Sequence, residues 1–126
     1  MNNHREKYLR KELGVVGYKD LDIEKLAREL TELYEEISDS HIGPLPELKS
    51  IYIVGSFVTE DAIKTASDID IRFVSTEKTT GEKCNELTKY VKNNWRNTVS
   101  EHNMYFGYID ARLYHKKPQS DSVKIY

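Results

Sequence analysis

From Asp68 to Phe73 the chain alternates polar and apolar side chains without a break, inside the segment Ser-Asp-Ile-Asp-Ile-Arg-Phe-Val that runs from Ser67 to Val74. A period of two belongs to a β-strand, because successive side chains leave the backbone on opposite faces. Ile69, Ile71 and Phe73 point one way, and Asp68, Asp70 and Arg72 the other. Such a strand needs a core on one side and presents paired carboxylates on the other.

Further elements follow from the same reasoning. Ile51 to Val54 is a short apolar run ended by Gly55, which predicts a buried strand of about four to six residues. Ser56 to Lys64 reads as a short helix or helical turn, with Phe57, Val58 and Ala62 inward. Met104 to Tyr114 is a second β-rich stretch. Around Asp110 it alternates too, with Ile109, Ala111 and Leu113 on one face and Asp110 and Arg112 on the other; Lys116-Lys117-Pro118 ends it. Two amphipathic helices accompany the strands. One spans about Asp20 to Ser38, with Leu21, Leu26, Leu30, Leu33 and Ile37 on its stripe. The other spans Thr79 to Trp95, with Cys84, Leu87, Val91 and Trp95 on its stripe and Thr79 and Glu82 spaced as a capping box. Gly14 and Gly17 around Val15-Val16 suggest a turn or short lead-in. Ser40 to Pro46, with its Gly-Pro step, is a loop. The tail after Pro118 either frays or adds a small edge strand. The order helix, strand, short helix, strand, helix, strand gives an α/β (α+β) fold, one small mixed sheet flanked by helices, with residues 1–126 as one domain.

Composition excludes several classes. A net charge of −2, from 19 basic and 21 acidic side chains, gives no general attraction to nucleic acid, so nothing marks a duplex binder. No apolar run approaches the roughly 18 residues of a membrane span, and the polar first ten residues do not read as a signal peptide. The lone Cys84 forms neither an internal disulfide nor a zinc framework, and a cytoplasmic setting is expected. His102 and His115 lack any ligand spacing and are expected at the solvent-exposed surface.

The chemistry lies in three places. Asp68 and Asp70, two apart on a strand, are about 6–7 Å apart at the backbone and can converge on ions between them. Magnesium prefers carboxylates plus substrate phosphate oxygens, and paired ions about 3.5–4 Å apart serve in-line phosphoryl displacement. Asp110 on a neighbouring strand would complete the set. Gly55-Ser56 at the end of a strand allows close approach of a phosphate, with the N–H groups of a following helix start and the Ser56 hydroxyl as donors. Each residue also has a plainer reading. Asp68 and Asp70 can be a solvated strand face, Asp110 and Arg112 a surface charge pair, and Gly55 and Ser56 a turn glycine and a helix cap. Arg72 shares the acidic face and either contacts phosphate or balances charge. Lys64 either meets phosphate or ends the helix.

An apolar strand, Gly-Ser, eleven further residues, Asp-Ile-Asp-Ile, and a later strand with Asp110 together resemble the motif of the DNA polymerase beta-like nucleotidyltransferase superfamily, and its minimal members in particular. The likeness covers about Ile51 to Leu113. It implies Asp68, Asp70 and Asp110 as catalytic metal ligands for Mg2+, with Mn2+ an acceptable substitute. It implies Gly55 and Ser56, with Arg72 and Lys64, at the phosphates of a nucleoside triphosphate such as ATP. The implied reaction moves a nucleoside monophosphate to a hydroxyl of an unknown acceptor and releases pyrophosphate. The alternative it implies is an antitoxin-like or catalytically degenerate nucleotide-binding module acting with a small helical protein partner. One departure stands out: minimal members carry an Ala-Arg-Gly-like run after Gly-Ser, whereas this chain has Val58-Thr59-Glu60-Asp61, with two acids where a cation would assist.

Overall fold

The computed structural model describes residues 3–40, 42–95 and 101–126. Within them the chain forms helix α1 (Asn3–Leu13), strand β1 (Val15–Val16), helix α2 (Ile23–Ser40), strands β2 (Leu48–Val54), β3 (Ala62–Ile63) and β4 (Ile69–Ser75), helix α3 (Gly81–Asn94), and strands β5 (Ile109–Tyr114) and β6 (Ser122–Lys124). The expected α/β architecture is present. His41, within the loop expected at Ser40–Pro46, lies outside the described residues.

Four strands form one sheet in the order β5-β4-β2-β6. β2 is antiparallel to β4 and to β6, and β4 is parallel to β5. A parallel neighbour requires a crossover, and α3 supplies it and packs on β5. Ile53, Ile71 and Ala111 share one cross-strand row, and Ile51, Phe73 and Leu113 the next. These residues are buried in one cluster with Leu26, Leu30 and Ile37 of α2 and Leu87 and Val91 of α3. Both helices therefore cover the same face, and the rows that carry Asp70 and Arg72 point away from it. Among the described residues no helix is long and apolar enough to cross a membrane.

Several local expectations need correction. Of the short helix or helical turn expected over Ser56–Lys64, the structure has the helical turn alone, a 3-10 turn at Gly55–Phe57, and the chain then passes through a further turn into β3. Gly14 closes α1 with φ +86, and β1 then pairs with β3, Val15 opposite Ile63. Such two-residue strands lack a periodic signal, so the segment was legible only as a turn. Thr80, one residue later than expected, caps α3 by accepting from the Lys83 N–H at 3.2 Å. Lys83 at the third position cannot complete a capping box. Glu101–Met104 is a 3-10 turn, so β5 begins at Ile109. The tail, left open by the sequence, is the edge strand β6. His102 is buried, with 1% of its surface exposed. Its Nε2 accepts from the Asp22 N–H at 3.1 Å, and its Nδ1 lies 3.8 Å from Glu29. It is a tie between distant segments, whereas His115 is exposed as expected.

Candidate functional site

The β4–β5 register places Asp70 directly opposite Asp110. Neighbouring strands are about 4.8 Å apart and directly paired residues share a face, so both carboxylates emerge side by side on the face opposite α2 and α3. Asp68 lies just before β4 rather than on it, exposed and directly after the bend at Ser67. It is nevertheless near enough to act on Asp70 electrostatically. Burial, then the charges of Asp110 and Asp68, push the Asp70 carboxyl above its ordinary value, against a smaller opposing pull from Arg112 and Arg72.

Gly55 explains how this carboxylate is seated. Its φ is +79, and a β-carbon built on it would lie 2.5 Å from Asp70 Oδ2. The carboxylate of β4 rests on the bare Cα at the end of β2, and only glycine leaves that room. Ser56 follows within the 3-10 turn. A turn of three residues has no helix dipole to offer, so the expected helix-start contribution falls away; the Ser56 hydroxyl and the open glycine backbone remain.

A cleft of about 760 Å³ opens beside these groups, lined by Ser56, Ser67, Asp68 and Asp70 from the sheet side and by Arg5 and Leu9 from α1. Ser67 Oγ accepts from the Ile63 N–H at 2.8 Å, which holds the bend that presents Asp68. The contribution of α1 was missed in the sequence, where residues 3–13 carry no apolar stripe. The usable signals were an unbroken run without Gly or Pro up to Gly14 and the Glu6/Arg10 pair at helical spacing.

The two acids after the Gly-Ser turn are occupied by cations. Arg10 of α1 binds Asp61 as well as Glu6, and Lys19 lies 3.6 Å from Glu60. Their charge is thus met locally. The remaining candidates separate. Lys64 does not line the cleft; its ammonium lies over the Tyr105 ring at 5.6 Å. The Arg72 guanidinium lies over the Tyr114 ring at 4.7 Å. Arg112 bonds Asp110 at 3.3 Å, so the surface charge pair exists alongside the carboxylate cluster.

Among the described residues, no three His, Cys, Asp or Glu side chains converge into a ready metal-binding group. The donor set still suits a hard divalent cation. Two adjacent carboxylates with a third nearby supply only oxygen ligands, and burial together with their mutual repulsion raises Asp70, a penalty that a bound cation would offset.

Two outcomes follow. Gly55→Ala forces a left-handed φ on a residue with a β-carbon and drives that carbon into Asp70. Urea denaturation should show a loss of about 1–2 kcal/mol from the backbone conformation alone. The second concerns pH. A carboxyl raised in the folded state stabilises the fold while protonated, fully so below the ordinary value of 3.8, and loses that contribution as pH rises through the raised value. In metal-free buffer Asp70→Asn should therefore melt higher than the native chain at neutral pH. The difference should shrink as the pH falls into the carboxylate range, and a variant that melts lower at neutral pH would contradict the upward push that burial and the neighbouring acids exert on Asp70.

No curated protein and no solved structure matches the chain. The sequence model of the nucleotidyltransferase domain matches residues 23–100, a span that contains Gly55, Ser56, Asp68 and Asp70 and stops short of Asp110. With more than half of its length matched, the chain belongs to the nucleotidyltransferase domain family.

Proposed function

We propose that the protein is a metal-dependent nucleotidyltransferase that moves a nucleoside monophosphate from a nucleoside triphosphate to an acceptor hydroxyl. The observation that carries the proposal is the shared row of Asp70 and Asp110 beside the Gly55-Ser56 turn. Asp70 and Asp110, with Asp68 at the edge, would hold magnesium, which when bound neutralises the triphosphate oxygens and assists the approach of the hydroxyl. Ser56 donates its hydroxyl to the terminal phosphates, and Gly55 lets them approach the backbone. The acceptor oxygen forms a bond to the α-phosphorus, the bond to the bridging oxygen breaks, and pyrophosphate leaves. The hydroxyl proton passes to a carboxylate of the row. Positioning and charge neutralisation supply the rate.

Arg5 fits the role left open by the acids that follow Gly-Ser. It lines the same cleft as Ser56, Asp68 and Asp70, and it stands on a helix fixed to the turn region through Arg10 and Asp61. In this reading the cation for the triphosphate comes from α1, upstream of the family match, instead of from the residues after the turn.

Pyrophosphate release with each nucleoside triphosphate and magnesium tests the assignment. Asp70→Asn combined with Asp110→Asn should abolish release while the fold is retained by circular dichroism; unchanged turnover in that variant would end the proposal. Arg5→Ala should weaken triphosphate binding about 10- to 100-fold by calorimetry, the range of one charge-assisted hydrogen bond, without altering thermal stability appreciably.

A further inference from the structure

The sheet face that carries the acidic pair is the one opposite α2 and α3, with α1 beside the acids, and its rows change character with distance from that pair. The first row reads Ser122, Val54, Asp70, Asp110 across the four strands. The next reads Lys124, Tyr52, Arg72, Arg112. Three cations and an aromatic ring thus lie one row from the carboxylates. The third row holds Ser50, Val74 and Tyr114.

β5 and β6 occupy opposite edges of the sheet, so residues 115–121 have to cross it. They cross on this face. A cleft of about 780 Å³ is lined by Ser50, Tyr52 and Val74 of the sheet together with His115, Lys116 and Lys117 of the crossing segment, and Lys49 joins them. Ser50 and Val74 are 4% and 2% exposed although no helix covers their side, which is the mark of a roof above them. None of the residues lining the cleft is acidic. The chain as a whole carries −2, so this concentration of cations is local.

We propose that the cleft and the cationic row form one track for single-stranded nucleic acid, the strand whose terminal hydroxyl is presented to the acidic pair. Lysine ammonium groups at Lys49, Lys116 and Lys117 match backbone phosphates. Tyr52 lines the cleft and offers a face on which a base stacks. Rows on one face are about 6.7 Å apart, so the cleft begins at Tyr52, about 6.7 Å from the acidic row, and extends to the row of Ser50 and Val74, about 13 Å from it. A lining that runs away from the acids over two rows suits a strand approaching by its end. A cleft roofed by a chain segment admits one strand and excludes a duplex. A helical protein partner is disfavoured, because the core of such an interface is depleted of charge. The role given to the terminal hydroxyl rests on the nucleotidyl-transfer reading, whereas the track itself does not.

The test uses fluorescein-labelled oligoadenylate RNA and oligothymidylate DNA, titrated by anisotropy against the full chain over a range of salt. The native protein should bind, with affinity falling as salt rises. The variant Lys49→Ala/Lys116→Ala/Lys117→Ala should bind at least about tenfold more weakly, and its log–log salt slope should be shallower by about 2, the value for three lost phosphate contacts on a single strand. An unchanged melting temperature shows that the variant is folded, and Tyr52→Leu tests stacking separately, with a further loss of about tenfold expected. Equal affinity and slope in native and triple variant would overturn the track, as would a native chain that binds neither oligonucleotide. Oligonucleotide binding without magnesium-dependent pyrophosphate release would support the track and remove the nucleotidyl-transfer reading.

Discussion

Two carboxylates on adjacent parallel strands, held opposite one another and partly out of water, repel. Everything notable about the site depends on the rest of the fold overcoming that repulsion. The apolar side chains on the reverse of the same two strands, Ile69, Ile71 and Phe73 beside Ile109, Ala111 and Leu113, are buried under α2 and α3. Burial of this kind stabilises by about 1.5–3 kcal/mol for each large side chain, ample to hold one unfavourable charge contact in place. Alternation makes the arrangement unavoidable: whatever register buries those residues also brings Asp70 and Asp110 to the opposite face.

Around that pair the chain supplies one close approach and one counter-charge. Gly55 removes the β-carbon that would displace Asp70, and Arg112 satisfies Asp110 from two residues along the same strand. Farther out, Arg10 and Lys19 engage the two acids that follow the Gly-Ser turn. The acidic character of that turn is therefore much reduced in the folded chain, and Arg5 remains directed to the cleft.

How much of this was readable follows from the range of each interaction. The alternation around Asp70 and Asp110 gave both strands and the face of each acid, because a period of two is a local property. The register that sets Asp70 against Asp110 was not readable, since it depends on the length and seating of the intervening crossover. The burial of His102 was hidden for the same reason: its partners Asp22 and Glu29 come from the far end of the sequence. α1 has no apolar stripe, and β1 and β3 exist only because they pair with each other. Lys116-Lys117-Pro118 was legible only as the end of β5; that the segment crosses follows from strand order, and the face it crosses on from its side chains sharing a cleft with Ser50, Tyr52 and Val74.

The parallel pairing of β4 with β5 carries a kinetic consequence. Antiparallel neighbours can zip from a tight turn, whereas these two strands meet only after the whole helical excursion between them has folded back, a contact of high sequence separation. The acids of the pair are thus strangers in the nascent chain. They become neighbours only when the crossover docks, so a chain with that crossover undocked has no functional centre to expose and carries no electrostatic tension between the two acids.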